Sequence, residues 1–410
     1  MTSRAYRIAA LVLTVAMGFS TALGATSPAS AGTTYTAPQE VEGAPVVPEQ
    51  SVEFRGQLFF SGDSLDEWPS GKLYSFDGTS FTLIDPLYGN VTNLRVINDV
   101  LYFSAKLAGS WFVVAYDGTS LSQTGISSTY SSIEFIGYET DILAIAQSGP
   151  DDFALQYLVA GSVRNLETFD YASGLASFDG LAYFVVLPTG APDYEMYRTD
   201  GVLVEADVTD PGTNLFVWKN TLYMGKMGTN WTFTKVLPDL TTETASDPAI
   251  EFAFHFTDGG DVMYFTGDRE MIRYVYAYDG TNARELPAGP AVGDLKMFDG
   301  YLFATSLETS VSVCSLDISV QCESDIVDVY YFDGTSWVLS ASARSSLGGL
   351  IAFQNRLYFQ DGAKWMFIER ASLADTGVDI APGLSLAALL VALGLSAALW
   401  RRRNRALTTG

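Results

Sequence analysis

Cys314 and Cys322, eight positions apart in CSLDISVQC, are the only cysteines of the 410 residues, and His255 is the only histidine. A closed zinc site takes four Cys, His or carboxylate ligands, and a Ser-His-Asp triad needs its histidine beside a serine and an acid. His255 has apolar neighbours in FAFHFT, the setting of a half-buried strand residue rather than of a base. The two thiols are expected to close a disulfide in an oxidising compartment. On the chain-entropy model, so short a loop is stapled by about 2–3 kcal/mol. No metal site and no cofactor are expected.

Paired carboxylates occur at Asp151-Asp152 and Glu323-Ser324-Asp325, yet the chain holds 47 acids against 23 basic residues, so such pairs are expected on solvated loops. No Asp-x-Asp-x-Asp-Gly run is present that would build a dedicated calcium loop. A formal charge of −24 and a pI near 4.2 exclude a nucleic-acid partner, which needs a basic face. Tyr330–Trp337 (YYFDGTSW) invites comparison with the Asp-box turns of sialidases, where one residue separates the Asp from the Gly. Here the two are adjacent, and the arginines between Arg55 and Arg370 are sparse and share no repeated position. A cluster of arginines able to hold a substrate carboxylate is therefore not expected. With 48% hydrophobic, 13% aromatic and 17% charged residues, the chain is expected to fold rather than stay disordered.

The two ends read as addresses. Arg4 and Arg7 precede an apolar run, Ile8 to Leu23, and Ala29-Ser30-Ala31 offers a small-residue cleavage site between Ala31 and Gly32. Near the other end, Leu373-Ala374-Asp375-Thr376-Gly377 is followed by a spacer, the seventeen-residue run Leu384–Trp400, and Arg401-Arg402-Arg403-Asn404-Arg405. At 1.5 Å per residue that run reaches roughly 25 Å, enough for a thin hydrocarbon core. The arginines keep its end on the cytoplasmic side. LADTG, an apolar span and RRR in this order resemble the sortase sorting signals of Gram-positive surface proteins, in the LAxTG form of high-GC actinobacteria. Ala374 stands where the commonest form has proline. The resemblance implies cleavage between Thr376 and Gly377, transfer of the Thr376 carbonyl to a peptidoglycan precursor amine, and sortase and peptidoglycan as partners.

Between the ends, one strand pattern recurs: QLFF, VLYF, DILA, GLAYF, TLYM, VMYF, YLF and RLYF. Its anchors at Leu58, Leu101, Ile142, Leu181, Leu222, Met263, Leu302 and Leu357 are 43, 41, 39, 41, 41, 39 and 55 residues apart. A period near 40 with strand content predicts propeller blades. Within the second copy, Leu94–Ile97 turns at Asn98-Asp99 into Val100–Ala105. Trp111–Tyr116 then meets Asp117-Gly118-Thr119 before Leu121–Thr124. Asp-Gly is a two-residue hairpin signal with φ > 0 at both positions, and it returns at Asp77-Gly78, Asp279-Gly280 and Asp333-Gly334, more weakly at Asp200-Gly201. Continuous apolar runs suit sheets covered on both faces, and no helical periodicity interrupts them. A β-sandwich gives many short strands but not eight units of one kind. The units resemble the DGT-type propeller repeats of bacterial surface proteins, over roughly Ser51 to Arg370.

The fold expected is all-β: a propeller of eight four-stranded blades, with seven as the alternative. Its parts are a signal peptide (1–31), a segment placed to supply a closing strand (32–50), the repeat domain (51–370), the sorting segment (371–383), the span (384–400) and a basic tail (401–410). The eighth copy stops after three strands, so a strand from 33–47 is expected to complete it. The function expected is a non-enzymatic binding or adhesion module at the cell wall, for an extracellular protein or glycan. The alternative is an extracellular glycan-active hydrolase. Propeller loops are where such a partner would bind, with Trp68, Trp111, Trp231 and Trp337 either stacking on it or buried between blades.

Overall fold

The structure, a computed structural model, describes residues 34–371 apart from 45–49, 63–70, 192–193, 203, 210–213, 227–231, 237–241, 245–251, 270–271, 288–291, 307–325, 345–348 and 362–363. Both cysteines, the proposed cleavage site at Ala31 and Gly32, the LADTG pentapeptide and the apolar run 384–400 lie outside the described residues. Among the described residues every regular element is a strand. Two compact units are distinguished, 37–368 and a terminal one. In the terminal unit the bridge Tyr35–Arg370 is flanked by bonds from Thr36 N to Glu369 O (2.9 Å) and from Ala371 N to Thr34 O (2.9 Å).

Unit 37–368 is an eight-bladed β-propeller. Its four-stranded antiparallel sheets occupy 51–83, 89–128, 134–169, 171–209, 214–244, 252–285 and 292–344. The eighth, Ile351–Phe353, Arg356–Asp361 and Lys364–Glu369, takes its outer strand Gln39–Glu40 from the start of the unit. The first strand of each blade lies innermost, and among the described residues six of the eight neighbouring pairs of first strands pack together, all but those of blades five and six and of blades eight and one.

The repeated apolar triplet explains how one strand serves two seams. Side chains alternate across a strand, so in Leu58-Phe59-Phe60 the residues Leu58 and Phe60 pack into blade eight, while Phe59 packs into blade two. Ile142 and Ala144 likewise face blade two, while Leu143 and Ile145 face blade four. All of these are buried. A run with no polar alternation is what a sheet covered on both faces requires.

The hairpin chemistry differs from the sequence expectation. At Asp77-Gly78-Thr79-Ser80 the flanking pair is Phe76 with Phe81, so the connection has four residues rather than two. Only the glycine has positive φ (+99° at Gly78). The aspartate stays outside the left-handed region because its side chain caps the loop. Asp77 Oδ1 accepts from Thr79 N (2.8 Å), Thr79 Oγ1 (2.7 Å) and Ser80 N (2.8 Å). The pattern repeats at Asp117 and Asp333, and with two backbone donors at Asp279. These are Asx turns. Two-residue turns with both φ positive join the first and second strands instead: Arg55-Gly56, Asn98-Asp99, Asp179-Gly180, Lys219-Asn220, Asp299-Gly300 and Gln354-Asn355.

Several of those turns also tie one blade to the next. The Arg55 guanidinium donates to the Asp99 carboxylate (2.7 Å) and the Asp117 carbonyl (2.5 Å). Asn98 Nδ2 donates to Thr140 O (2.9 Å) and Lys219 Nζ to Asp261 O (2.8 Å). From blade eight, Gln354 Nε2 donates to Asp77 O (3.2 Å) and Gly56 O (3.3 Å) of blade one, and the ring is closed.

The capped aspartates set an acid limit on these loops. Hydrogen bonds from the Thr79 hydroxyl and neighbouring amides hold Asp77 well below the carboxylate range, and Asp117 likewise. Asp333, bonded first by Ser336 N, is lowered to about 2. Carboxyls lowered on folding stabilise the fold fully above their unfolded value near 4 and lose that contribution as pH falls through the folded value. Thermal unfolding of the parent is therefore expected to weaken between about pH 4 and pH 2. The triple change Asp77→Asn, Asp117→Asn and Asp333→Asn should flatten that dependence while lowering stability at neutral pH. An unchanged slope below pH 4 would show that the turns do not carry it.

Candidate functional site

The innermost strands carry an irregularity at one phase of the repeat. Pairing with the second strand shifts between Thr92 and Arg95 in blade two, Ser173 and Ala176 in blade four, Phe254 and Thr257 in blade six, and Val292 and Leu295 in blade seven. A bulge releases backbone N–H groups from the ladder, and buried ones need other acceptors. In blade four, Gly174 N and Leu175 N donate to Glu134 Oε2 (3.0 Å) and Oε1 (2.8 Å) of blade three. In blade two, Asn93 N donates to Gln50 Oε1 (2.6 Å), while Asn93 Nδ2 donates to Ile133 O (2.8 Å). Asp294 Oδ2 accepts from Leu350 N (2.7 Å) across the last seam. Gln50, Asn93 and Glu134 follow one another at intervals of 43 and 41 residues, a polar periodicity that sequence reading missed although it was visible there.

Beside these bonds lies a cavity of about 340 Å³ built by blades two to four. It is lined by Arg95 and Glu134 from innermost strands and by Ile145 and Gln147 from the second strand of blade three. Ser131 and Ser132 of the connection into blade three, and Phe153 and Tyr171, also line it. Antiparallel order places it at the starts of the innermost strands, the face opposite the capped Asp turns. The rings of Phe153 and Tyr171 are 5.2 Å apart, and Tyr194 meets Tyr171 edge-on at 5.6 Å. Tyr194 and Tyr130 are 42% and 58% exposed, unusual for tyrosines in so buried a set of aromatics.

The cavity wall is held before any ligand arrives. Ser128, itself buried, donates through Oγ to Gln147 O and accepts from Tyr130 N and Ser131 N (3.3 Å each). Gln147 Nε2 is turned to Pro150 O (3.2 Å). Both Glu134 oxygens are committed to backbone amides, which fixes this carboxylate as a structural acceptor. The Arg95 guanidinium, by contrast, is exposed and has no hydrogen bond or ion pair among the described residues.

The residues singled out in the sequence lie elsewhere or outside the described set. Asp151 and Asp152 are exposed at the turn between the second and third strands of blade three, Asp152 as the first residue of the third. His255 stands at the blade-six bulge, and its side chain is outside the described residues. Trp111 packs into the seam between blades two and three, and Trp337 into that between six and seven, where its Nε1 donates to Pro287 O (3.1 Å). Trp68, Trp231 and Glu323–Asp325 are outside the described residues. The segment with Cys314 and Cys322 joins the second and third strands of blade seven, Tyr301–Ser306 and Ile326–Phe332.

No protein-family model matches the chain, and no curated protein matches it. Solved structures do resemble it. The computationally designed Ika8 protein is 13% identical over 81% of this chain and 98% of that one, with a TM-score of 0.53. A prolyl endopeptidase structure is 12% identical over 80% of this chain, which spans 55% of the peptidase, with a TM-score of 0.51. BamB from Moraxella catarrhalis is 12% identical over 82% and 99%, at 0.48. At these identities the likeness to the first two shows the fold alone.

Proposed function

We propose that the chain is a secreted, wall-anchored surface protein whose propeller recognises an extracellular glycan or protein without turning it over. The observation that supports recognition is the preformed cavity built by blades two to four, with hydrogen-bonding groups within and exposed Tyr130 and Tyr194 adjoining its lining residues Ser131 and Tyr171. Aromatic faces with a few fixed polar groups suit binding sites. The observation that counts against hydrolysis is the state of the cavity's carboxylate. Glycoside hydrolysis commonly needs two carboxyl groups about 5–9.5 Å apart, one of them free to exchange a proton. Glu134 is the only carboxylate among the lining residues, and it is bound by two amides.

Anchoring is proposed from the residues at the ends: a cleavable leader, then LADTG, an apolar span and arginines, joining Thr376 to peptidoglycan. One experiment covers both parts. Muralytic digestion of producing cells should release the chain ending at Thr376 with wall peptide attached, read by mass spectrometry. The released protein, screened against glycans, matrix proteins and chromogenic glycosides, should bind without turnover. Recovery of the intact C-terminus in detergent would sink the wall linkage, and turnover would sink the recognition reading.

A further inference from the structure

We propose that the cavity takes a saccharide bearing a single carboxylate, with Arg95 pairing the carboxylate and Tyr171 and its neighbours covering the sugar face. This rests on the recognition reading above and narrows it to one ligand class. The argument begins with charge. In a chain of net charge −24, an arginine whose guanidinium has no acidic partner is out of balance with its surroundings. Arg55 and Arg273 are paired with Asp99 and Asp268. Arg95 and Glu134 both line the cavity; Glu134 keeps its charge, but both its oxygens are bonded to amides of the blade-four bulge and it makes no ion pair with Arg95 among the described residues. The guanidinium fork therefore remains for an incoming anion, and its geometry matches a carboxylate through two parallel bonds.

The same bulge decides which anion. Phosphate sites gather several backbone N–H groups or several cations. Here Gly174 N and Leu175 N, the freed amides next to the cavity, are already occupied by Glu134. One cation without amides suits one negative charge. The acidic surroundings repel a polyanion, which sets phosphate polymers and heavily sulfated chains aside. The remaining lining is suited to a sugar rather than an aliphatic acid: Ser131 and Ser132 offer hydroxyls and Gln147 its Oε1 as an acceptor, and Phe153 and Tyr171 offer an apolar face for ring C–H groups.

The test uses the full chain in detergent and calorimetric titration with three β-linked disaccharides, ending in glucuronate, glucose or glucose 6-phosphate. The glucuronate form should bind about ten-fold or more tighter than the glucose form, as a charge-assisted bond implies, and the phosphate form no tighter than glucuronate. Arg95→Gln should collapse the difference to within about three-fold while leaving the circular dichroism spectrum unchanged. Arg95→Lys, which keeps the charge but not the fork, should restore part of it. Tyr171→Ala should weaken both sugars alike. Equal binding of acid and neutral sugars, tightest binding of the phosphate, a preference that survives Arg95→Gln, or no sugar binding at all would overturn the proposal. The recognition reading stands or falls separately. Protein or neutral-glycan binding keeps it, whereas turnover removes it even if the charge preference persists.

Discussion

Replacing Trp365 by alanine is expected to lower the unfolding free energy by about 3–5 kcal/mol, the range for deleting a large aromatic from a packed core. Trp365 is 1% exposed in the third strand of blade eight and meets rings on both sides of the closing seam. Its ring centroid lies 4.8 Å from Tyr358 in its own blade, and 5.3, 5.6 and 5.7 Å from Phe76, Phe81 and Phe60 of blade one. Those rings and Phe353 form one cluster, so the cavity left by alanine would open where the first and last blades meet. The dense surroundings leave little room to collapse, which places the cost at the upper part of the range. Trp111→Ala is a fitting comparison: that side chain is only partly buried, and its loss should cost less than half as much. Denaturant midpoints of the two variants against the parent check this. A Trp365→Ala midpoint no lower than that of Trp111→Ala would show that ring closure rests elsewhere.

The architecture was legible because its signal repeats. Each Leu-Tyr-Phe-like run must feed two seams, so the same apolar triplet returns every blade and the period counts the blades. The turns were less legible, for a chemical reason. Asp-Gly at residues 77–78, 117–118, 279–280 and 333–334 looks like a two-residue turn until the following Thr and Ser or Asn supply donors that capture the aspartate oxygen. Of the true two-residue turns, Asn98-Asp99 was read from the sequence, whereas others escaped notice because their residues are diverse: Arg55, Lys219 and Gln354 hold positive φ that their types rarely adopt. There the turn is imposed by pairing on either side, and the long side chains reach the next blade. The cavity was not legible at all. Arg95, Glu134, Gln147 and Tyr171 are ordinary residues from three repeats, and only the ring brings them together. Local pattern cannot see a site whose members are one period apart unless polar positions are compared in phase, as Gln50, Asn93 and Glu134 now suggest.

Deleting Ala37–Ala44 from the chain is expected to destabilise the propeller by roughly 3–5 kcal/mol and to make it self-associate. Gln39 and Glu40 pair with Phe367 and Met366, Val41 N donates to Trp365 O (2.8 Å), and Lys364 bonds the Glu40 carboxylate. Val41 and Ala44 also pack on the cluster that contains Trp365. Without this segment the strand Lys364–Glu369 becomes an edge with unpaired backbone groups, a template for a second molecule. Strand addition is reversible in principle, since backbone bonds supply the affinity and alternate side chains the specificity. The synthetic peptide APQEVEGA should therefore return the deleted protein toward the parent's melting temperature and dissolve its dimers. The same peptide with Val41→Pro should do neither, because proline removes the donor to Trp365 O and is poorly tolerated inside a ladder. Melting curves and light scattering with each peptide give the answer. A deleted chain that melts with the parent and stays monomeric would show that the outer strand only decorates blade eight.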